Sequence, residues 1–373
     1  MKVVFVSNYY NHHQSALSNA LYRLTCGEYR FIATEPVEEE RLKMGWSDER
    51  DSFVIQFEHS QSKCQRLIDE ADAVIIGSAP HYIVKKRISD NKLVLKYSER
   101  QLKKGLEIWK YPYRFIKWHS MYPNNKNTHL LCASAYAAED YSMFGLFKNR
   151  AYKWGYFPKM KKYESIEKII NYKKPASFLW VARFIDWKHP EIPIEVAKRL
   201  KKEGFKFTLN MIGNGKMENT IRQMIDDCKL SDCVYMLGAM KPDEVRDYME
   251  KSQIFLLTSD RNEGWGAVLN EAMNSGCAVI ANRAIGSVPY LLNHEENGLI
   301  YDDGDFDSLY SAVKKLIADS DLCSRYGKKA YETLIEEWNP ETAAARLVQL
   351  SEHLLKGEKS VDLYKTGPCS RAK

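Results

Sequence analysis

Short apolar runs alternate with longer amphipathic stretches along most of the chain. In the second half the alternation is regular. Apolar runs near 177–182, 207–212, 233–237, 254–257, 277–281 and 298–301 predict buried parallel strands. Stretches near 190–202, 216–227, 242–250, 267–275, 287–293 and 305–317 have helical spacing, and another helix is predicted over 340–356. Strand and helix taking turns in this way predict an α/β, doubly wound parallel sheet. In the first half, Lys2–Ser7 reads as a strand, and Ser15–Arg23 as a helix with Ala16, Leu17, Ala20 and Leu24 on one face. Strands follow near Arg30–Ala33, Ala73–Gly77, Lys92–Lys96 and His129–Cys132, with helical patterns between. Residues 156–175 are basic and weakly patterned and read as a linker. The polar tail from Gly357 onward is expected to be mobile.

A chain of 373 residues suits two domains. No run approaches the ~20 apolar residues of a membrane span, and the N-terminal run MKVVFVSNYY lacks a small-residue cleavage site, so it reads as a first strand in a cytoplasmic protein. Eight scattered cysteines, with Cys228 and Cys233 the closest pair, point to reduced thiols and no zinc site. The net charge is +6, but it is unevenly spread. From Lys85 to Lys117 eleven cations face only Asp90, Glu99 and Glu107, with Tyr97, Trp109, Tyr111, Tyr113 and Phe115 interleaved. Such a stretch is either a solvated face over buried rings or a surface for an anionic lipid or glycan carrier. No nucleic-acid-binding module accompanies the charge.

The chemistry concentrates in residues 254–281, which read strand, tight loop, short helix, strand. Gly264 and Gly266 let a ligand approach the backbone, and the N–H groups of Gly266, Ala267 and Val268 at the helix start favour an anion such as phosphate. Glu263 and Glu271 bracket that junction. Carboxylates repel phosphate, so they suit hydroxyl groups on either side of it. A diphosphate with polyols at both ends fits that pattern, and a nucleotide sugar, with ribose at one end and hexose at the other, is such a ligand. Arg183 and Lys188, in the loop after the first strand of the second half, suit neutralisation of a diphosphate leaving group. The Gly213-Asn214-Gly215 turn reads equally as a plain turn or a ligand contact. In the first half, the loop Asn8–Gln14 places His12, His13 and Gln14 where they either hold sugar hydroxyls, carry protons or cap a helix. The segment Tyr97-Ser98-Glu99-Arg100 is predicted at the same sheet edge.

The sequence EGWGAVLNEAM over 263–273 resembles the E-G-[FW]-G-x3-E-A-M donor motif of the retaining GT-B glycosyltransferases of family 4. That resemblance implies a GT-B fold of two doubly wound Rossmann-like domains facing a central cleft. The implied domains are an acceptor-binding domain over 1–155, the linker, a donor-binding domain over 176–339, and a C-terminal helix and tail over 340–373 that cross back to the first domain. It further implies that Glu263 and the backbone of Gly264, Trp265 and Gly266 orient the donor sugar. Ala267 and Val268 would meet the phosphate, and Glu271 the ribose. Arg183 and Lys188 would grip the diphosphate, with Gly213 near the donor and the backbone at Ala239 and Met240 near the base. On the acceptor or sugar side it implies His12, His13, Gln14, Glu99 and Arg100. The family's sugar-facing histidine has Ser98, Glu99 or His119 as its counterpart, and the choice stays open.

Two departures from the family pattern stand out. The 8–14 loop has no glycine pair, so Asn11 to Gln14 would act through side chains. In the 282–290 segment, Ser287 and Tyr290 replace a glycine and a glutamate. The implied activity is retaining, front-face transfer of a hexose from a UDP-linked donor to a hydroxyl of a glycan or lipid-linked acceptor. Neither metal nor cofactor is expected. Peripheral contact with an anionic membrane at the inner face of the cell is consistent with the basic first half. A nucleotide-sugar 2-epimerase and a weakly catalytic nucleotide-sugar-binding scaffold share the layout. A dehydrogenase does not fit, because no G-x-G-x-x-G follows the first strand.

Overall fold

The computed structural model describes residues 1–36, 51–358 and 361–373. The chain divides into two compact units, one of Met1–Lys159 with Glu337–Lys373 and one of Met160–Glu336. Each is a Rossmann-like layer of parallel strands with helices around it.

In the first unit the strands are β1 (Val3–Ser7), β2 (Tyr29–Ala33), β3 (Val54–Gln56), β4 (Ala73–Ile76), β5 (Val94–Ser98), β6 (Thr128–Cys132) and β7 (Ala151–Lys153). Their order in the sheet is β3-β2-β1-β4-β5-β6-β7. All ladders are parallel, with Val3 opposite both Tyr29 and Ala73. In the second unit the strands are β8 (Lys174–Val181), β9 (Thr208–Ile212), β10 (Val234–Met236), β11 (Ser252–Leu257), β12 (Ala278–Asn282) and β13 (Leu299–Tyr301), in the order β10-β9-β8-β11-β12-β13. Strands such as VVFVS and AVIAN are buried along their whole length. That is why they read as continuous apolar runs: helices cover both faces of the sheet. Phe178, Trp180, Leu209, Met211, Ile254 and Leu256 lead one core. Val4, Val6, Val74, Ile76 and Leu130 lead the other.

The structure differs from the sequence expectations in five places. First, β3 and β7 have three residues each, too short for a periodicity signal. The helical patterns expected between residues 33 and 73 fall partly on 37–50, outside the described residues.

Second, the first helix starts at His12 and runs to Leu24, because Asn11 caps it: the Asn11 Oδ1 accepts the His13 N–H at 2.9 Å. His12, His13 and Gln14 therefore occupy the first helical turn and not a loop. Third, the stretch expected as a linker carries the helix Ile166–Asn171, whose N-cap Ser165 accepts the Lys168 N–H, and then the start of β8. Fourth, a long helix, Ser320–Glu336, follows the Phe306–Ala318 helix and packs on the Val268–Asn274 helix.

The fifth difference is the tail, part of which (359–360) lies outside the described residues. Cys369 is buried, the Cys369 N–H donates to the Lys153 carbonyl at 2.8 Å, and the Lys153 N–H donates to the Ser370 carbonyl at 2.7 Å. An antiparallel bridge joins Tyr152 to Arg371. The tail thus covers the open edge beyond β7, which explains its order despite a polar composition. Next to it the Pro340–Leu355 helix packs on the His12–Leu24 helix.

The second unit has one very close approach. A Cβ on Gly327, in the middle of the Ser320–Glu336 helix, would lie 2.3 Å from the Gly276 carbonyl oxygen. Gly276 itself is left-handed (φ +67°) and ends the Val268–Asn274 segment that bears the candidate site. Gly327→Ala should therefore destabilise the second unit by about 1–3 kcal/mol through overpacking. Differential scanning calorimetry should show a midpoint lowered by several degrees, and an unchanged midpoint would contradict this packing.

Candidate active site

In both units the strand order reverses beside the first strand, between β1 and β4 and between β8 and β11. At such a switch point the loops after two neighbouring strands diverge and leave room for a ligand at the carboxyl edge of the sheet. In the second unit those two loops are 182–190, after β8, and 258–267, after β11. They hold Arg183, Lys188 and Glu263.

The two loops are tied together at several points. Lys188 and Glu263 form an ion pair through Nζ and Oε2, with side chains only 12% and 11% exposed. Ser259 Oγ donates to the same Glu263 oxygen at 3.1 Å. Trp180 Nε1 donates to Thr258 Oγ1 at 2.8 Å, and the Thr258 hydroxyl donates to the Lys188 carbonyl at 2.8 Å. The Asp260 N–H donates to the Trp187 carbonyl at 3.0 Å. His189, left-handed at φ 51°, has its imidazole pKa raised, chiefly by its hydrogen bond to Glu191 at 2.8 Å, with Asp260 also near.

Arg183 is exposed and stands 5.8 Å from the Trp187 ring centroid, while the Lys188 ammonium is 4.3 Å from the same centroid. The two predicted cations thus flank one indole, which holds them near each other. No carboxylate among the described residues pairs with the Arg183 guanidinium, which leaves it open to an anion. Trp187 stood between the two cations in the sequence, but nothing in the spacing singled it out.

The E-G-W-G loop presents backbone, not rings. Trp265 is 1% exposed, and its Nε1 donates to the buried Asn270 Oδ1 at 2.9 Å. Its indole anchors the loop in the core, so a ligand meets only its main chain. Gly266 is left-handed at φ +81°, and a Cβ there would crowd the Glu263 Cγ at 3.2 Å and Ile285 at 3.3 Å. Among the described residues the N–H groups of Gly264, Gly266, Ala267 and Val268 donate no hydrogen bond within the protein. Gly264 and Gly266 are buried, so these donors are costly to leave unmade and are set for an acceptor from outside.

Glu271 sits one turn into the following helix. Its backbone carbonyl accepts from Arg246 Nη1 at 2.7 Å, while Arg246 Nη2 binds Asn274 Oδ1. Its carboxylate has no hydrogen-bond partner among the described residues. Desolvation raises its pKa, and the nearby Arg246 charge opposes that shift. Arg246 is a positioning group that the motif did not reveal.

Neighbouring loops continue the same edge. Gly213, at φ +138°, has no room for a side chain: a Cβ would lie 1.9 Å from the Ala182 carbonyl oxygen. Its N–H donates to the Gly238 carbonyl at 2.8 Å, so the turn after β9 joins the loop that carries Ala239 and Met240. Ala239 is exposed and Met240 half-buried. On the far side, the Gly286 N–H donates to the Glu263 carbonyl at 3.3 Å. Ser287, at the family's glycine position, is fully buried with its hydroxyl unpartnered, and Tyr290 approaches Trp265 at 6.3 Å between centroids.

The first unit gathers a separate cluster at its own sheet edge. His12 and His13 have ring centroids 3.9 Å apart, and burial lowers the His12 pKa, which favours the neutral ring. His13 lies 6.2 Å from Tyr156, whose hydroxyl donates to Glu99 Oε1 at 2.9 Å. The other Glu99 oxygen pairs with Lys103 at 3.1 Å. Burial raises the Tyr156 phenol far above its ordinary value. Tyr156, which the sequence reading missed, therefore links His13 to Glu99. Arg100 stacks over Tyr136 at 4.5 Å, and Gln14 is buried. His119 is elsewhere, with its Nδ1 bound to the Phe115 carbonyl of its own helix at 2.9 Å.

The central ion pair has a measurable consequence. Lys188→Met leaves a nearly buried carboxylate with only Ser259 as partner. The change should cost on the order of 3 kcal/mol of unfolding free energy. Adding Glu263→Gln should recover part of that loss in urea denaturation. A double variant no more stable than Lys188→Met would contradict the coupling.

Comparison with known proteins finds similarity that covers most of the second unit. Residues 161–333 match the family model described as glycosyl transferases group 1. The amylovoran biosynthesis glycosyltransferase AmsK of Erwinia amylovora is 29% identical over 186 residues, which is 48% of this chain and 46% of that protein. The N-acetyl-alpha-D-glucosaminyl L-malate synthase of Bacillus anthracis is 28% identical over 152 residues, 41% of this chain and 39% of that protein. The matched stretch thus spans less than half the length of these relatives. Among solved structures, Anabaena Alr3699/HepE in complex with UDP superposes with a TM-score of 0.71 at 14% identity, covering 94% of this chain and all of that one. The pneumococcal O-GlcNAc transferase GtfA in complex with UDP and GlcNAc gives 0.68 at 10% identity, covering 95% of this chain and 99% of that one. The chain has the GT-B fold, and its second unit carries the match to glycosyl transferases group 1.

Proposed function

We propose that the chain is a retaining glycosyltransferase of family 4 type that moves a hexose from a UDP-linked donor to a hydroxyl of a glycan or lipid-linked acceptor. The observation that carries this reading is the combination at one switch point of unpaired cationic, N–H and carboxylate groups. Among the described residues Arg183 has no paired carboxylate, the N–H groups of Gly266, Ala267 and Val268 have no acceptor, and the Glu271 carboxylate has no donor. The relatives support it: several are glycosyltransferases of polysaccharide biosynthesis, and the structural neighbours HepE and GtfA bind UDP.

Each group has a task in that reading. Arg183 and Lys188 grip the diphosphate and stabilise the charge that grows on it as the bond to the anomeric carbon breaks. They supply in place the positive charge a metal ion would bring. The N–H groups at 264–268 share that load. Glu271 accepts hydrogen bonds from ribose hydroxyls, and Glu263, held by Lys188 and Ser259, orients the sugar. Backbone at Ala239 and Met240 meets the base. The acceptor oxygen bonds to the anomeric carbon on the face the phosphate leaves, and the departing phosphate oxygen takes the acceptor proton. In the first unit, His13, Tyr156 and Glu99 offer a hydrogen-bonding set for acceptor or sugar hydroxyls, with His12, Gln14 and Arg100 beside them.

Kinetics separate these tasks. Glu271→Ala should raise the donor KM about 10- to 100-fold, as expected for loss of charge-assisted hydrogen bonds, with a smaller effect on kcat. Arg183→Ala should lower kcat about 100-fold and raise KM less. Donor hydrolysis followed by mass spectrometry measures both and reports a 2-epimer or the absence of turnover equally well. Wild-type constants in both variants would remove the assignment.

The raised Glu271 pKa adds a pH signature. The ionised carboxylate is the form that accepts ribose hydroxyls. UDP affinity should therefore be full above the raised pKa and fall as pH drops through it, at higher pH than an ordinary glutamate would give. Calorimetric titration should show this fall in the wild type and its loss in Glu271→Gln. Identical pH profiles would contradict the role.

A further inference from the structure

We propose that the outer face of residues 104–117 in the first unit is a docking surface for an anionic lipid bilayer. The inference stands apart from the donor-site reading, so either can fail alone. This stretch is a short 3-10 turn, Ile108–Lys110, running into the helix Tyr111–Met121. Its inner side is fixed by rings: Trp118 is buried against Tyr141 and Phe144, and Tyr111 stacks on Phe144 at 4.6 Å. That packing sends the other large apolar side chains outward. Ile108 is 77% exposed, Trp109 76%, Ile116 70% and Tyr113 65%. Trp109, Tyr113 and Ile116 follow helical spacing, so they form one stripe. Isolated exposed apolar residues need no explanation, but a contiguous set of this kind does.

Charge identifies the occupant. From Lys103 through Ser120 there are five lysines and arginines and one carboxylate, Glu107. Glu107 is only 14% exposed and is neutralised by Lys110 at 2.7 Å and Arg114 at 2.6 Å. Lys104 and Lys117 are exposed with no carboxylate partner among the described residues. The surface is therefore an apolar stripe with tryptophan and tyrosine at its centre and ammonium groups at its rim. Aromatic residues favour the headgroup level, aliphatic ones insert below it, and lysines reach anionic headgroups. A second copy of the same face would bring like charges together. A nucleic acid would leave Ile108 and Ile116 in water. Among the described residues no helix is long and apolar enough to cross a membrane.

Vesicle flotation with the full chain tests this. The wild type should float with vesicles of phosphatidylcholine containing phosphatidylglycerol, but not with phosphatidylcholine alone, and binding should weaken as salt rises. Trp109→Ser/Ile116→Ser and Lys104→Ser/Lys117→Ser should each weaken binding by about tenfold or more. Their melting midpoints should not move, because the altered side chains are exposed. The proposal is overturned if the wild type ignores anionic vesicles, if the Trp109/Ile116 variant binds them as well as the wild type, or if that variant instead dissolves a wild-type dimer. The wild-type lipid and salt comparison decides the matter even if a variant misfolds.

Discussion

The ion pair between Lys188 and Glu263 is the interaction on which the candidate site depends. It joins loops from strands on opposite sides of the point where the sheet order reverses. Two charges so nearly buried are costly to desolvate, and their attraction offsets that cost only when both are held in place. The surrounding bonds do the holding. Trp180 fixes Thr258, Thr258 fixes the Lys188 backbone, and Ser259 supplies a second donor to Glu263. With the two loops joined, Arg183 and the N–H groups of Gly266, Ala267 and Val268, which have no acceptor among the described residues, are left along the same edge. The site is built by satisfying one pair of charges internally and leaving another set unsatisfied.

The glycines serve the same construction. Gly266 permits the turn that folds the loop back over Glu263, and Gly213 lets the next loop pass against the Ala182 carbonyl. Their roles are first geometric: a side chain at either would move the backbone that a ligand must approach. This gives the Gly213 turn a physical cause independent of any contact with a donor. Trp265 shows the converse. Its indole is core, bonded to Asn270, and it steadies the loop from beneath while the main chain is left to a ligand.

Much of this was legible in the sequence where a residue's environment is set locally. Strands buried on both faces announce themselves as apolar runs, so every strand of the second sheet was found. Arg183, Lys188, Glu263 and Glu271 fall at strand ends and a helix start, and the structure brings them to one edge. What was not legible depends on partners distant in sequence. Tyr156 meets Glu99 across 57 positions, Thr258 meets Lys188 across 70, and the polar tail gains order only by lying along β7. The histidines read as loop because the apolar periodicity begins only near Ser15, whereas the Asn11 cap starts the helix at His12. The three-residue strands carry too little pattern to be seen. The basic, aromatic stretch left two readings open, and only the burial of Trp118 and the exposure of Trp109 and Ile116 separate its inner face from its outer one.

The most direct test of the account is a crystal structure of the chain with UDP. The account predicts the diphosphate against Arg183 and the N–H groups of 266–268, with ribose hydroxyls on Glu271. A nucleotide bound anywhere else, with Glu271 and Arg183 untouched, would contradict it.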